Sequence, residues 1–194
     1  MQLRNDRTRY GLIAILLHWT MALLVIGLLF LGITMVDLEY THPWYRKAPD
    51  LHRSLGVITG LLLLFRFGWR LANPLPERFG KPWERQAALW VHRLFYVLMA
   101  AVVVSGYLIT TADGQPVPVF GWFEIPAAVQ GFDNQEDAAG LAHAWLAYAL
   151  IALTGLHALA ALKHHFIDGD PTLLRMLGRD GPTSSADTHH VTEE

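Results

Sequence analysis

The chain has 194 residues, 53% of them apolar and 16% charged, with a mean hydropathy of +0.28 and a formal net charge of −2. That balance is far from the composition of a soluble domain and reads as a membrane protein. The absence of cysteine excludes disulfides, cysteine-ligated iron–sulfur clusters and thioether attachment of a cofactor through C-x-x-C-H, and there is no G-x-G-x-x-G or P-loop run to indicate use of NADH or ATP.

The first expected helix covers about 11–36. Gly11 to Val36 runs 26 residues without Asp, Glu, Lys or Arg, enough to cross a hydrocarbon core of about 30 Å. It is longer than the apolar region of a signal peptide and lacks a clean small-x-small cleavage site, so a mature helix is expected. The second span, about 51–70, is the weakest, because only Ser54 to Phe65 is charge-free and Arg66 must be buried or snorkel. Leu94 to Ala112 anchors a third span at about 88–112, and Ala138 to Leu162 a fourth at about 138–163. The connection between them holds Pro116, Pro118 and Pro126 with Phe120, Trp122 and Phe123, aromatics expected as an interfacial belt. Past the fourth span, Asp170 is placed to cap a short amphipathic helix, with Pro171 at its first position and Leu173, Leu174 and Leu177 on one side, lying on the membrane surface. Residues 1–180 then form the membrane domain, and the polar tail 181–194, with His189 and His190, is expected to be disordered.

Twelve of the 15 Lys and Arg residues precede the first span, surround the second connection or follow the last span, leaving Arg46, Lys47 and Arg53 on the other side. By the positive-inside rule both termini are cytoplasmic. The expected fold is an all-α, integral membrane four-helix bundle, N-in and C-in, with a short C-terminal amphipathic helix. Its partner is membrane lipid, and no nucleic acid is expected.

His143 and His157 lie fourteen residues apart in the fourth span with no charge between them. That is close to four helical turns and roughly 21 Å of axis, so both imidazoles project from nearly one face. Alternating helix directions put His18 at the depth of His157, near the cytoplasmic side, and His52 at the depth of His143, near the outer side. An imidazole inside a membrane is costly and is a usual axial ligand of haem iron. Each matched pair can saturate one iron, a state suited to electron transfer rather than oxygen binding. Any one of these histidines could instead bond a neighbouring helix, but four at two matched depths point to two haem b groups. His92 shares the cytoplasmic depth and could replace His18 or His157, meet a haem propionate or a quinone head group, or be structural. Arg66 follows His52 by fourteen residues, where it could pair with a propionate or snorkel. Gly56 and Gly60 leave space for a flat macrocycle or serve close helix packing.

Three stretches resemble bacterial cytochrome b561: LHW at Leu17 to Trp19, LHRSLG at Leu51 to Gly56, and above all GLHALAALKHHFIDGDPTLLRM at Gly155 to Met176. The resemblance covers about residues 8–179. It implies a four-helix bacterial inner-membrane bundle with two b haems, and places His18 with His157 and His52 with His143 on the two irons. The activity best described for the family implies a superoxide:ubiquinone oxidoreductase, in which superoxide donates at the outer haem and ubiquinone accepts. Arg46, Lys47 and Arg53 could steer the anion locally, against eight acids in the outer loops, while Arg53 could equally pair with a propionate or with Asp50. Two other functions are open: a haem b subunit passing electrons between a separate periplasmic dehydrogenase or hydrogenase and quinone, and a haem-free transporter or assembly factor. The chain lacks the six spans of the eukaryotic ascorbate-dependent relatives, so their substrate is not carried over.

Overall fold

The computed structural model describes residues 2–179; the tail 181–194, with His189 and His190, lies outside the described residues. Four long helices dominate: α1 (Leu12–Val36), α2 (Lys47–Leu71), α3 (Pro82–Thr111) and α4 (Gln135–Phe166). A hairpin of β1 (Val117–Val119) and β2 (Phe123–Ile125) separates α3 from α4, and α5 (Thr172–Met176) follows. All four long helices are apolar enough to cross a membrane. The shortest, of 25 residues, reaches about 37 Å at 1.5 Å per residue, so each exceeds a hydrocarbon core.

The helices begin where local chemistry allows. Before α1 the chain folds back so tightly that a Cβ on Gly11 would lie 2.4 Å from the carbonyl carbon of Arg4, and the Gly11 amide donates to Asn5 Oδ1 at 2.8 Å. In α3, Pro82 occupies the first position, where its missing N–H costs nothing, and the Lys81 amide donates to Glu84 Oε2 at 2.7 Å. These capped turns start α3 at Pro82 rather than at about 88, and α2 starts at Lys47 rather than at about 51. A count of charge-free residues sees only the part of a helix that lies in lipid, and misses polar turns outside it.

Large apolar side chains point outward: Leu23, Phe30, Leu64, Val97, Trp145 and Leu156 are each more than 60% exposed to the surroundings. That inversion fits lipid as solvent. Inside, Met21, Leu63, Met99 and Leu150, one from each long helix, form the core, with Val25, Phe95 and Val102 packed around them. The helices pair as α1 with α2 and α3 with α4; α2 and α3 join the two pairs, while α1 and α4 touch more sparsely.

Both described chain ends lie at one end of the bundle, called proximal below; the opposite end is distal. The proximal cap is stitched by Asn5 Nδ2 to the Pro74 carbonyl (3.1 Å), by the Glu77 amide to the Arg7 carbonyl (2.9 Å) and by Trp19 Nε1 to the Met176 carbonyl (2.8 Å). Asp170 Oδ1 accepts the Thr172 amide at 2.9 Å, but Pro171 is the N-cap, so α5 starts one residue later than expected. Its five residues are tied under α1, and Arg175 on it is buried. Lys163 Nζ bridges Glu84 Oε1 (2.6 Å) and Asp168 Oδ2 (2.7 Å), joining the start of α3 to the end of α4.

The distal end carries strand structure that the all-helical expectation lacked. β1 and β2 are antiparallel, with Val117 opposite Ile125 and Val119 opposite Phe123. Phe120 and Gly121 turn with φ of 52° and 72°, and the Trp122 amide closes that turn onto the Val119 carbonyl at 2.9 Å. Val117 and Val119 are buried, and the Phe120 amide donates to Ser54 Oγ at 3.0 Å, which docks the hairpin on α2. Phe120, Trp122 and Phe123 sit at its exposed tip and second strand.

Candidate functional site

Each long helix carries one candidate pair spaced by fourteen residues: His18 and Gly32 on α1, His52 and Arg66 on α2, His92 and Gly106 on α3, His143 and His157 on α4. Because the helices alternate in direction, the eight positions sort into two levels. His52, His143, Gly32 and Gly106 share the distal one; His18, His157, His92 and Arg66 share the proximal one.

At the distal level the rings of His52 and His143 stand with centroids 6.1 Å apart and planes at 74°. A metal held between two imidazoles needs two metal–nitrogen bonds of about 2.0–2.1 Å and two ring radii of roughly 1.1 Å, or about 6.3 Å in all. The backs of both rings rest on glycines: a Cβ on Gly32 would stand 3.2 Å from His52 Cε1, and one on Gly106 3.1 Å from His143 Cε1. His143 Nδ1 lies 3.0 Å from the Val102 carbonyl and 3.1 Å from Ser105 Oγ. A carbonyl only accepts, so Nδ1 carries the proton and Nε2 keeps its lone pair for a metal.

At the proximal level His18 and His157 repeat the 6.1 Å separation. His92 is closer to His157, at 5.4 Å, and Phe95 packs edge-on against the same ring at 5.4 Å. His92 Nδ1 donates to the Ala88 carbonyl one turn back, at 2.6 Å. Arg66 Nη2 stands 3.2 Å from His18 Nδ1, and its Nη1 reaches the Leu17 carbonyl at 3.5 Å and Met21 Sδ at 3.8 Å. A guanidinium only donates, so here Nδ1 of His18 accepts and the ring proton belongs to Nε2, the reverse of His143. Presenting His18 Nε2 to a metal therefore requires Arg66 to release Nδ1 or the ring to lose that proton beside the guanidinium.

Comparison with known proteins bears on this donor set. The pattern of the family described as prokaryotic cytochrome b561 matches residues 9–179. The chain belongs to the prokaryotic cytochrome b561 family. It is 45% identical to cytochrome b561 homolog 2 of Escherichia coli over 181 residues, 92% of this chain and 96% of the other. It is 31% identical to a Yersinia pestis protein named "Probable superoxide oxidase CybB", over 87% of this chain and 96% of the other, and 30% identical to cytochrome b562 of Cereibacter sphaeroides, over 87% and 94%.

As a cytochrome b561 the chain is a haem b protein of membrane electron transfer, multi-pass in a bacterial inner membrane. The donor chemistry fits that group: paired imidazoles, no thiolate, and glycines on which the distal rings rest. The remaining expected residues are spread more widely. A Cβ on Gly60 would lie 3.0 Å from Val103 Cγ1, so Gly60 serves helix packing, whereas Gly56 faces open space. Arg46 is the N-cap of α2 and Lys47 its first residue. Arg53 is ion-paired with Asp50 on the same helix. Lys47, Asp50, Ser54 and Phe120 line a cavity of 360 Å³ beneath the hairpin.

Sequence reasoning missed Gly32, although its distance of fourteen from His18 was available as a signal. It also missed the proximal ion-pair cluster. There His164 Nδ1 lies 2.6 Å from Asp170 Oδ2, and burial, which alone would raise the Asp170 carboxyl, is outweighed by hydrogen bonds from Thr172 and His164 that hold it below its usual range. Glu84, His164 and Asp168 bring ligand atoms within 4.8 Å of one another, but the Lys163 ammonium already bridges the two carboxylates.

Proposed function

We propose that the chain holds two haem b groups, one between His52 and His143 and one between His18 and His157, and carries electrons from the distal to the proximal level. The observation that carries this reading is the repeated 6.1 Å ring separation, close to the bis-imidazole requirement at both levels, whereas His92 and His157 at 5.4 Å are too near to share an iron in line. Bound haem supplies reversible one-electron transfer between its ferric and ferrous states. The protein residues supply everything else: the four histidines fix the site, Val102 and Ser105 orient His143, and apolar packing keeps water out.

The excess of basic residues at the proximal end supports cytoplasmic termini, with the distal level toward the periplasm. The donor we favour is superoxide and the acceptor ubiquinone: two superoxide anions give two dioxygen molecules and two electrons, which with two protons convert the quinone to quinol. The similarity to the protein named "Probable superoxide oxidase CybB" and the position of Lys47 on the distal cavity support this reading. The ion pair of Arg53 with Asp50 weakens local attraction of an anion, and the acidic distal loops oppose it over longer range. Those acids, with the 77% exposed Trp122 at the hairpin tip, favour the second reading, a protein donor docking over the distal haem.

One preparation tests both. Pyridine haemochrome analysis should give two haems per chain; one or none defeats the ligand assignment. Stopped-flow haem reduction by a superoxide source should be rapid, should be abolished by superoxide dismutase, and should slow as salt rises. A preparation with both haems and no dismutase-sensitive reduction defeats superoxide as donor and leaves the protein-donor reading.

A further inference from the structure

Arg175 is only 9% exposed, on a helix whose basic residues the sequence assigned to a cytoplasmic surface. Its guanidinium lies over the rings of Phe79, at 5.1 Å, and Tyr10, at 5.6 Å, and Nη1 donates to the Glu77 carbonyl at 2.8 Å. The other two nitrogens, Nε and Nη2, are buried and have no hydrogen-bond partner among the described residues. These two form one edge of the guanidinium, with parallel N–H groups, and that edge matches the two oxygens of a carboxylate or phosphate. Aromatic faces offset part of the cost of burying a cation, but they leave both N–H groups and the charge uncompensated. A built cradle with its fork free calls for an oxyanion beyond the described residues.

Position narrows the source. Trp19 Nε1 donates to the carbonyl of Met176, the residue after Arg175, and the Trp19 ring stands edge-on to His18 with centroids 5.3 Å apart. The buried fork thus belongs to the proximal end of the bundle, one residue and one hydrogen bond removed from the neighbour of His18. Arg66 also reaches this level, where its Nη1 and Nη2 lie near the Leu17 carbonyl, Met21 and His18. We propose that Arg175 grips a propionate carboxylate of the proximal haem through its Nε–Nη2 edge. This rests on the two-haem reading, and the wild-type haem count tests that reading separately.

The experiment compares full-length Arg175→Lys and Arg175→Gln with wild type and with Arg179→Gln, an exposed neighbour. Lysine keeps the buried charge but cannot fork, so its fold should survive. In both Arg175 variants the proximal haem should pass to a haem acceptor about tenfold faster than in wild type, while the distal haem is retained as an internal control. With haem carrying ¹³C-labelled propionates, the carboxylate bands of the reduced-minus-oxidised infrared spectrum should shift in Arg175→Lys but not in Arg179→Gln. Unchanged haem loss and unchanged carboxylate bands overturn the proposal. Equal loss of both haems in Arg175→Lys overturns it too, assigning the residue to folding. A third result also overturns it: infrared bands that respond only to replacing phosphatidylglycerol by phosphatidylcholine in nanodiscs, which makes a lipid phosphate the occupant.

Discussion

The two histidine levels share one separation and differ in almost everything around it. The distal rings of His52 and His143 rest on Gly32 and Gly106, and His143 is oriented by a neutral carbonyl and a hydroxyl. The proximal rings of His18 and His157 meet a guanidinium, Arg66, and a third imidazole, His92. A positive charge in a low-dielectric interior favours the less positive iron, so the proximal haem should have the higher midpoint potential. With a haem at each level, electrons should then run downhill from the distal side to the proximal one.

The harshest way to break the comparison is to remove ligands. His52→Ala or His143→Ala should each take away the distal haem alone, and His18→Ala or His157→Ala the proximal haem alone, read as a fall from two haems to one. If His92→Ala removes the proximal haem and His18→Ala spares it, the two proximal imidazoles exchange roles. Next in size is the glycine support. Gly106→Val places atoms against the His143 ring, where even a Cβ would come within 3.1 Å of Cε1. Overpacking of this kind costs about 1–3 kcal/mol, so distal haem loss should speed up roughly tenfold or more.

Smaller still is the charge difference. Arg66→Gln should lower the proximal potential by an amount of the order of 1 kcal/mol at an effective dielectric constant of about 20, leaving the distal one in place. A redox titration in which both potentials move together would remove the basis for a downhill path. The slightest effect concerns the proximal cap. Asp170 has a depressed folded pKa, so its contribution to docking α5 is present above its ordinary value of 3.8 and disappears as pH falls through the depressed one. Pepsin cleavage near Leu173 and Leu174 should therefore rise only in strong acid. In Asp170→Asn it should be independent of pH in that range.

The four spans were legible because lipid imposes a crude rule, a long run without charge, that a linear sequence displays directly. The meeting of His18 with His157 and of His52 with His143 was legible for a related reason: helix rise turns position into depth, and alternation of direction does the rest. What was hidden depends on partners distant in sequence. Val117 to Val119 and Phe123 to Ile125 are too short to show a period, and the hairpin exists because Val119 buries and Phe120 bonds Ser54 on another element. Nothing local to Arg175 announces that Tyr10 and Phe79 will close over it. Arg66 was placed at the right depth, yet its contact with His18 Nδ1 is a matter of side-chain direction, which spacing does not specify.

The interval of fourteen residues found on every long helix is two heptads. Midway along each interval stand Val25, Thr59, Met99 and Leu150, packed or buried in the centre, so each helix shows the interior a residue every seventh position across the membrane. A straight α-helix of 3.6 residues per turn drifts by about 20° per heptad, so over two heptads the row stays on one inward face. The two metal-ready levels are therefore locked in rotational phase as well as in height. Deleting one residue near Leu150 would swing His157 about 100° around its helix while moving it little along the axis. The bundle would keep its length and hydropathy, and one of its two levels would lose an imidazole to the lipid.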